Sequence, residues 1–250
     1  MNNVEKISKE IKKILKENAP VLTDAQKTRM YKILNPDIPD YVIYGIKFPL
    51  LEQIVKSTFN TFSCSYEEAI EIFKILIRNN VEDEKFAGLH FLNKFKKQFS
   101  SDTIDLFRNE YSQYCNTWSL CDSTCVRVIG PFLGKKGNET LAKKTIDEWS
   151  NSDIMWIQRA SMVILLKLAM LRKDFDESYV FGIVEKMLKY SKQPYIEKGI
   201  GWLLKTCSKY KPELIYNYLM KKKGTFPRLI LRYASEKLPK EKRTSVLKKY

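Results

Sequence analysis

This chain of 250 residues has one histidine, His90. It lies in an apolar helical run and reads as structural. The five cysteines, Cys64, Cys115, Cys121, Cys125 and Cys207, are an odd number. Cys121 and Cys125 lie four apart, but no second pair and no histidine accompanies them, so a zinc site is not expected. Reduced, buried thiols are the default instead. The longest apolar run, from Ser161 to Met170, is broken by Lys167 and falls well short of a membrane span. The opening stretch, MNNVEKISKEIKKILKENAP, is amphipathic but has neither a long apolar region nor a small-residue cleavage site. It is therefore not expected to be a secretory signal, and its glutamates argue against a transit helix. Strand alternation bounded by hairpin turns is nearly absent, as are long linkers and low-complexity tracts. These absences point to a soluble, intracellular, helical protein with no metal and no cofactor.

Negative charge is also in short supply. There are 44 Lys and Arg against 29 Asp and Glu, a net charge of +15, and the isoelectric point is about 9.4. Such an excess says little about fold but predicts an anionic partner: nucleic acid, an acidic membrane surface or an acidic protein. A lysine-rich solubilising surface is the bland alternative. The imbalance is strongest from Ser191 to Tyr250, with 16 Lys and Arg against four Asp and Glu, and there the basic residues are interleaved with aromatics.

What is present is helical periodicity. Hydrophobic residues make up 44% of the chain, enough for a sizeable core. Apolar positions recur at three and four residues in AIEIFKILI after Glu68, in Phe86, Leu89, Phe91, Leu92 and Phe95, and in Ile154, Ile157, Met162, Leu165, Leu166 and Ala169. Ser65 with Glu68, and Ser101 or Asp102, can serve as N-caps. Pro194, Pro212, Pro227 and Pro239 each sit where a helix would begin. Tyr41 to Gly45 reads as a turn or short extended link. The pattern predicts roughly a dozen helices of about 10–17 residues, in pairs recurring about every 35–45 residues. That period suits HEAT or armadillo-type pairs, with a compact helical bundle as the alternative.

Three segments could carry chemistry. In the first, Trp118 and Asp122 lie four apart, which sets an indole and a carboxylate on one face of a helix. Such a pair suits a substrate that becomes cationic, although the tryptophan could equally be core and the aspartate a cap. In the second, Ser152 or Asp153 would start a helix whose second turn carries Arg159 among apolar neighbours. That arginine must reach a partner or solvent. In the third, Lys198, Trp202 and Lys205 share one helix face, and Gly199 and Gly201 interrupt the same helix at roughly 1 kcal/mol each against alanine. Close approach of another helix is the usual reason for such glycines. Arg228 and Arg232 lie four apart on a further helix. Basic residues flanking an aromatic can hold two phosphates while the ring meets a sugar or base.

Together, and in this order, TWSLCDS, MWIQRAS and YIEKGIGWLLKTCSKYKPELIYNYL resemble the AlkD-like family of DNA alkylation-repair glycosylases. EDEKFAGLHFLNKFKK (82–97) and YGIKFP (44–49) are similar to that family too. The resemblance covers residues 25–236 and is strongest from 82 onward. It implies an all-α fold over 1–250 as a single domain, a right-handed α-α superhelix of HEAT-like repeats with a concave basic DNA-binding face. It implies that Asp122 is the catalytic carboxylate, that Trp118 and Trp202 flank the lesion's sugar, and that Arg159 serves binding and activity. Tyr31 falls near the family's N-terminal tyrosine, and Lys198, Lys205, Arg228 and Arg232 complete the expected DNA contacts. Thr117 and Ser119 depart from the family, which often has an aromatic before the tryptophan and an acid after it. The expected activity is excision of cationic N-alkylated purines, N3-methyladenine and N7-methylguanine, from duplex DNA without base flipping. A monomer is expected, with no membrane partner, in the cytoplasm near the nucleoid of a prokaryote or in the nucleus of a eukaryote. The competing reading is a catalytically silent repeat scaffold that binds DNA structures or a protein; the survival of Asp122 disfavours it.

Overall fold

The computed structural model describes residues 2–248 and is all-α. No strand forms among the described residues. The stretch from Tyr41 to Gly45 is an extended link with one parallel bridge, Val42 to Val81.

Local chemistry accounts for most helix starts. Asn2 caps α1 (Asn3–Glu17), and its side chain accepts from the Glu5 N–H. Reciprocal capping boxes open α2 (Asp24–Leu34), through Thr23 and Gln26, and α4 (Tyr66–Ile77), through Ser65 and Glu68. The cap of α6 (Ser101–Tyr114) is Ser100, one residue ahead of the expected pair. Its hydroxyl accepts from the Asp102 N–H, and its own N–H is answered by Thr103. Pro194 and Pro212 are the first residues of α12 (Pro194–Cys207) and α13 (Pro212–Lys222). Pro227 and Pro239 immediately precede α14 (Arg228–Ala234) and α15 (Lys240–Leu247). A proline costs nothing there because the N–H it lacks would have had no partner.

The chain divides into two compact units, Met1–Thr124 and Cys125–Tyr250. In the first, α4 packs on α5 (Glu82–Leu92), and α1 and α3 (Phe48–Thr61) close over that pair. Ile7, Ile11, Leu15, Ile54, Phe73, Leu76 and Phe91 fill its core. Gly88 permits the close approach of α4 and α5, since a Cβ there would lie 2.9 Å from the Leu76 Cβ. Helix α2 buries none of its residues. The unit ends with α7 (Trp118–Thr124).

The second unit opens with a π-helical turn, Cys125–Ile129, and α8 (Gly130–Leu133). Its centre is α10 (Met155–Arg172), packed against α8, α9 (Glu139–Ser150) and α12. Nearly all of α10 is buried, polar Gln158, Arg159 and Ser161 included. Ile154 is its N-cap, so Ser152 and Asp153 lie just ahead of the helix. The Ser152 hydroxyl accepts from the Ile154 N–H. Helix α11 (Glu177–Leu188) packs on α12, which packs in turn on α14. All five cysteines are free thiols, four of them buried. Among the described residues no helix is long and apolar enough to cross a membrane.

Because α10 is the element its unit packs around, truncating its wholly buried Leu166 should be costly. Leu166→Ala is expected to lower the unfolding free energy by about 2–5 kcal/mol, read as a lower denaturant midpoint at unchanged slope. A loss below about 1 kcal/mol would show that α10 is not the centre of its unit.

Candidate nucleic-acid interface and catalytic residues

The first turn of α5 carries four consecutive charged residues, Glu82, Asp83, Glu84 and Lys85, and all four are buried. Burial of charge is tolerable only where hydrogen bonds replace water, and here each group has them. The Asp83 carboxylate accepts the backbone N–H groups of Tyr44, Gly45 and Ile46 at 2.7, 3.4 and 2.9 Å. Gly45 sits at φ +80°, so the link bends tightly around that carboxylate. Glu84 accepts from Asn79 at 2.9 Å and lies 3.8 Å from the Lys12 ammonium. Glu82 accepts from the Tyr41 hydroxyl and, at 2.9 Å, from the Thr117 hydroxyl. Lys85 donates to the Tyr114 carbonyl at 2.5 Å and to Asn116 Oδ1 at 2.7 Å. Burial raises the carboxyl pKa values of Glu82, Asp83 and Glu84. It pulls the Lys85 ammonium down to about 8.

This turn therefore grips two chain segments that carry expected site residues. One is the link from Tyr41 to Ile46, whose Tyr41 carbonyl accepts the Tyr31 hydroxyl at 2.5 Å. Tyr31 is partly exposed on α2. The other is the passage from α6 into α7, where Thr117 accepts from the Leu120 N–H at 3.2 Å and so caps α7. Trp118 and Asp122 follow one turn apart on α7. Asp122 is buried, while Trp118 is half-buried with its indole N–H bonded to the Ile33 carbonyl at 2.9 Å. Tyr31, Trp118 and Asp122 thus belong to one connected set within the first unit. Thr117 is wholly buried, so the position that departs from the family pattern faces the protein interior.

In the second unit, Arg159 on α10 is buried and donates to the Tyr195 carbonyl at 2.5 Å. The Tyr195 ring, in the first turn of α12, lies 5.0 Å from that of Trp156 and 5.5 Å below the Lys198 ammonium. Lys198, Trp202 and Lys205 occupy successive turns of α12 and are all half-buried. Two glycines allow α12 its neighbours. A Cβ on Gly199 would meet Met162 on α10 and lie 3.6 Å from the Arg159 guanidinium, and one on Gly201 would overlap the Tyr233 Cβ on α14. The pair therefore serves helix packing.

Some of the expected phosphate contacts are already engaged. Lys205 is ion-paired with Glu236, and Arg228 donates to the Leu247 carbonyl. Arg232 is exposed. His90 packs edge-on against Phe48 and stands 3.8 Å from the Glu52 carboxylate. Sequence reasoning missed the buried α5 turn, the group that ties the first unit's site residues together. The EDEK run was visible in the sequence, but nothing local marked it as buried.

The family model described as DNA alkylation repair enzyme matches residues 6–238. A solved structure described as "Predicted DNA alkylation repair enzyme from Enterococcus faecalis" is similar over 89% of this chain and 100% of its own. The TM-score is 0.70 and the identity 16%, a likeness that shows the fold. No curated protein matches the chain.

The α5 turn makes a pH-dependent prediction. Lys85 is about 8 in the fold against 10.5 ordinarily, so between those values the unfolded chain holds a proton that the folded chain lacks. The Lys85 contribution to stability should therefore rise with pH across that window and fall as pH drops through 8, with a slope of at most about 1.4 kcal/mol per pH unit. A neutral amine keeps two N–H groups, so both carbonyl contacts survive deprotonation. Denaturant unfolding of the parent and of Lys85→Met, from pH 7.5 to 10.5, isolates the effect. The parent should gain on the variant as pH rises. Parallel curves would show that Lys85 titrates normally.

Proposed function

The chain belongs to the DNA alkylation repair enzyme family, and we propose that it is a DNA glycosylase releasing cationic N-alkylated purines from duplex DNA. The observation that carries this reading is Asp122: a buried carboxylate one turn beyond Trp118, on a helix whose start is anchored by buried hydrogen bonds.

The chemistry explains why so few groups suffice. Hydrolysing an ordinary N-glycosidic bond needs an acid for the leaving base and a carboxylate for the oxocarbenium-like sugar. A base alkylated at N3 of adenine or N7 of guanine already carries positive charge and leaves unprotonated. One carboxylate is then enough. Asp122 stabilises positive charge as it develops at the sugar and orients the attacking water. Trp118 and Trp202 add cation–π attraction of about 0.5–2 kcal/mol each. Lys198 and Lys205 hold phosphates, with Arg228 and Arg232 adding charge, and Tyr31 contacts the strand near the lesion. Arg159, which is buried, serves by holding the Tyr195 carbonyl at the start of the helix that carries Lys198 and Trp202. The base stays in the stack, as in the family this chain resembles, so no extrusion pocket is needed.

Lys205 has to exchange Glu236 for a phosphate in this account. An exposed ion pair is worth little, at most about 1 kcal/mol, so the exchange is easy, and it supplies charge only where DNA is present.

Asp122→Asn tests the proposal. The substitution removes the charge and keeps the shape. Free N7-methylguanine release from duplex DNA should fall about a hundredfold, corresponding to about 3 kcal/mol of lost transition-state stabilisation. Affinity for the lesion duplex, measured by fluorescence anisotropy, should be unchanged or higher. A folded Asp122→Asn variant that releases base at the parent rate would remove Asp122 from the chemistry. DNA binding without release by the parent protein would instead point to a silent scaffold.

A further inference from the structure

We propose that Glu82 and Thr117 are positioning residues for Asp122 and Trp118: their hydrogen bond sets where α7 begins and hence where its carboxylate points. The proposal rests on the glycosylase reading above.

Helix α7 runs without a break into the π-helical turn Cys125–Ile129, but the N–H groups of its first turn have no partners inside the helix, and the structure shows what fixes where it starts. At its start, the Thr117 hydroxyl accepts the Leu120 N–H at 3.2 Å and gives its one proton to Glu82, at 2.9 and 3.2 Å from the two carboxylate oxygens. Glu82 takes a second proton contact from the Tyr41 hydroxyl. Immediately upstream, Lys85 fixes the Tyr114 carbonyl and Asn116 Oδ1. At its end, Thr124 shares a hydrogen bond with Tyr111 on α6. Trp118 contributes one further anchor through its indole N–H to Ile33.

Threonine and glutamate are suited to this particular join. A hydroxyl can cap a backbone N–H and donate at the same time, which valine cannot do. A carboxylate accepts from both hydroxyls, whereas glutamine would present an N–H2 edge to one of them and force it to turn. Thr117 and Glu82 are wholly or almost wholly buried, so neither is placed to touch DNA. Thr117 acts on the reaction through Asp122 and Trp118, so its loss should appear in the rate of bond cleavage and leave duplex affinity alone, whereas Glu82 also holds Tyr41 and, through it, Tyr31.

The test uses the full chain, its Thr117→Val, Thr117→Ser and Glu82→Gln variants and the Thr117→Val/Glu82→Gln double variant, each checked by thermal melting. Single-turnover release of N7-methylguanine and affinity for a lesion-free duplex are measured side by side. Thr117→Val should slow release about tenfold or more, since small misplacements of a catalytic group are costly, with affinity unchanged within about twofold. Thr117→Ser keeps the hydroxyl and should return the rate to within about threefold of the parent. Glu82→Gln should also slow release, and the double variant should lose less than the product of the two single losses, because both break the Thr117–Glu82 contact. Thr117→Val at the parent rate, a serine variant as slow as valine, or additive losses in the double variant would each overturn the proposal. A parent that releases no base would overturn the glycosylase reading separately. Amide exchange at Leu120 then decides the structural half: faster exchange in Thr117→Val and Glu82→Gln supports the join, and unchanged exchange refutes it.

Discussion

The first unit depends on one constraint: four charged side chains on a single helical turn are taken out of water and must all be satisfied. Glu82, Asp83, Glu84 and Lys85 meet it by reaching different parts of the chain. Asp83 gathers three successive N–H groups of the extended link, Lys85 gathers two oxygens of the turn before α7, and Glu82 joins both segments through Tyr41 and Thr117. A buried charge that loses its partner is far costlier than an exposed one, so each of these contacts is expensive to lose. They leave the link and the start of α7 with little freedom, which is what a site built on short elements requires.

Much of the helical fold was legible in the amino-acid sequence, the buried turn of α5 was not, and the difference has physical reasons. Helical periodicity, the Ser65–Glu68 capping box and the four helix-opening prolines act over a few residues, so spacing alone reveals them. The glycines at 199 and 201 were readable as a cost needing a cause, and the cause is the close packing of α12 against α10 and α14. The EDEK run was not readable as buried, because charge runs ordinarily lie in solvent, and every partner named for it except Asn79 stands at least 29 residues away in the chain. Thr117 suffered the same way. From the sequence it is a missing aromatic; in the fold it is a buried cap facing Glu82. Lys205 and Arg228 read as available cations, yet each is engaged by a group 31 or 19 residues distant.

The family assignment, the all-α fold and the charge of the chain fit a protein acting on DNA, and the proposed chemistry asks little more of it. The substrate brings its own positive charge, so the protein needs a held carboxylate, aromatic faces and a supply of cations. Each can be placed on helices packed for stability, without a deep pocket. The cations are moderated from within: Glu236 sits on Lys205, and Tyr195 lies under Lys198. In the proposed chemistry the buried polar turn of α5 matters because it anchors the start of the helix that carries Asp122.

The claim at the centre of this account is that Asp122 works without an acid, so only a base that already carries charge can leave. Purified protein incubated with duplexes containing either N7-methylguanine or uracil, with free base quantified over time at one salt concentration, tests it most directly. The account predicts release of N7-methylguanine well above the spontaneous rate and no release of uracil. Uracil released at a comparable rate would contradict it, because a neutral base cannot depart so readily without a proton donor.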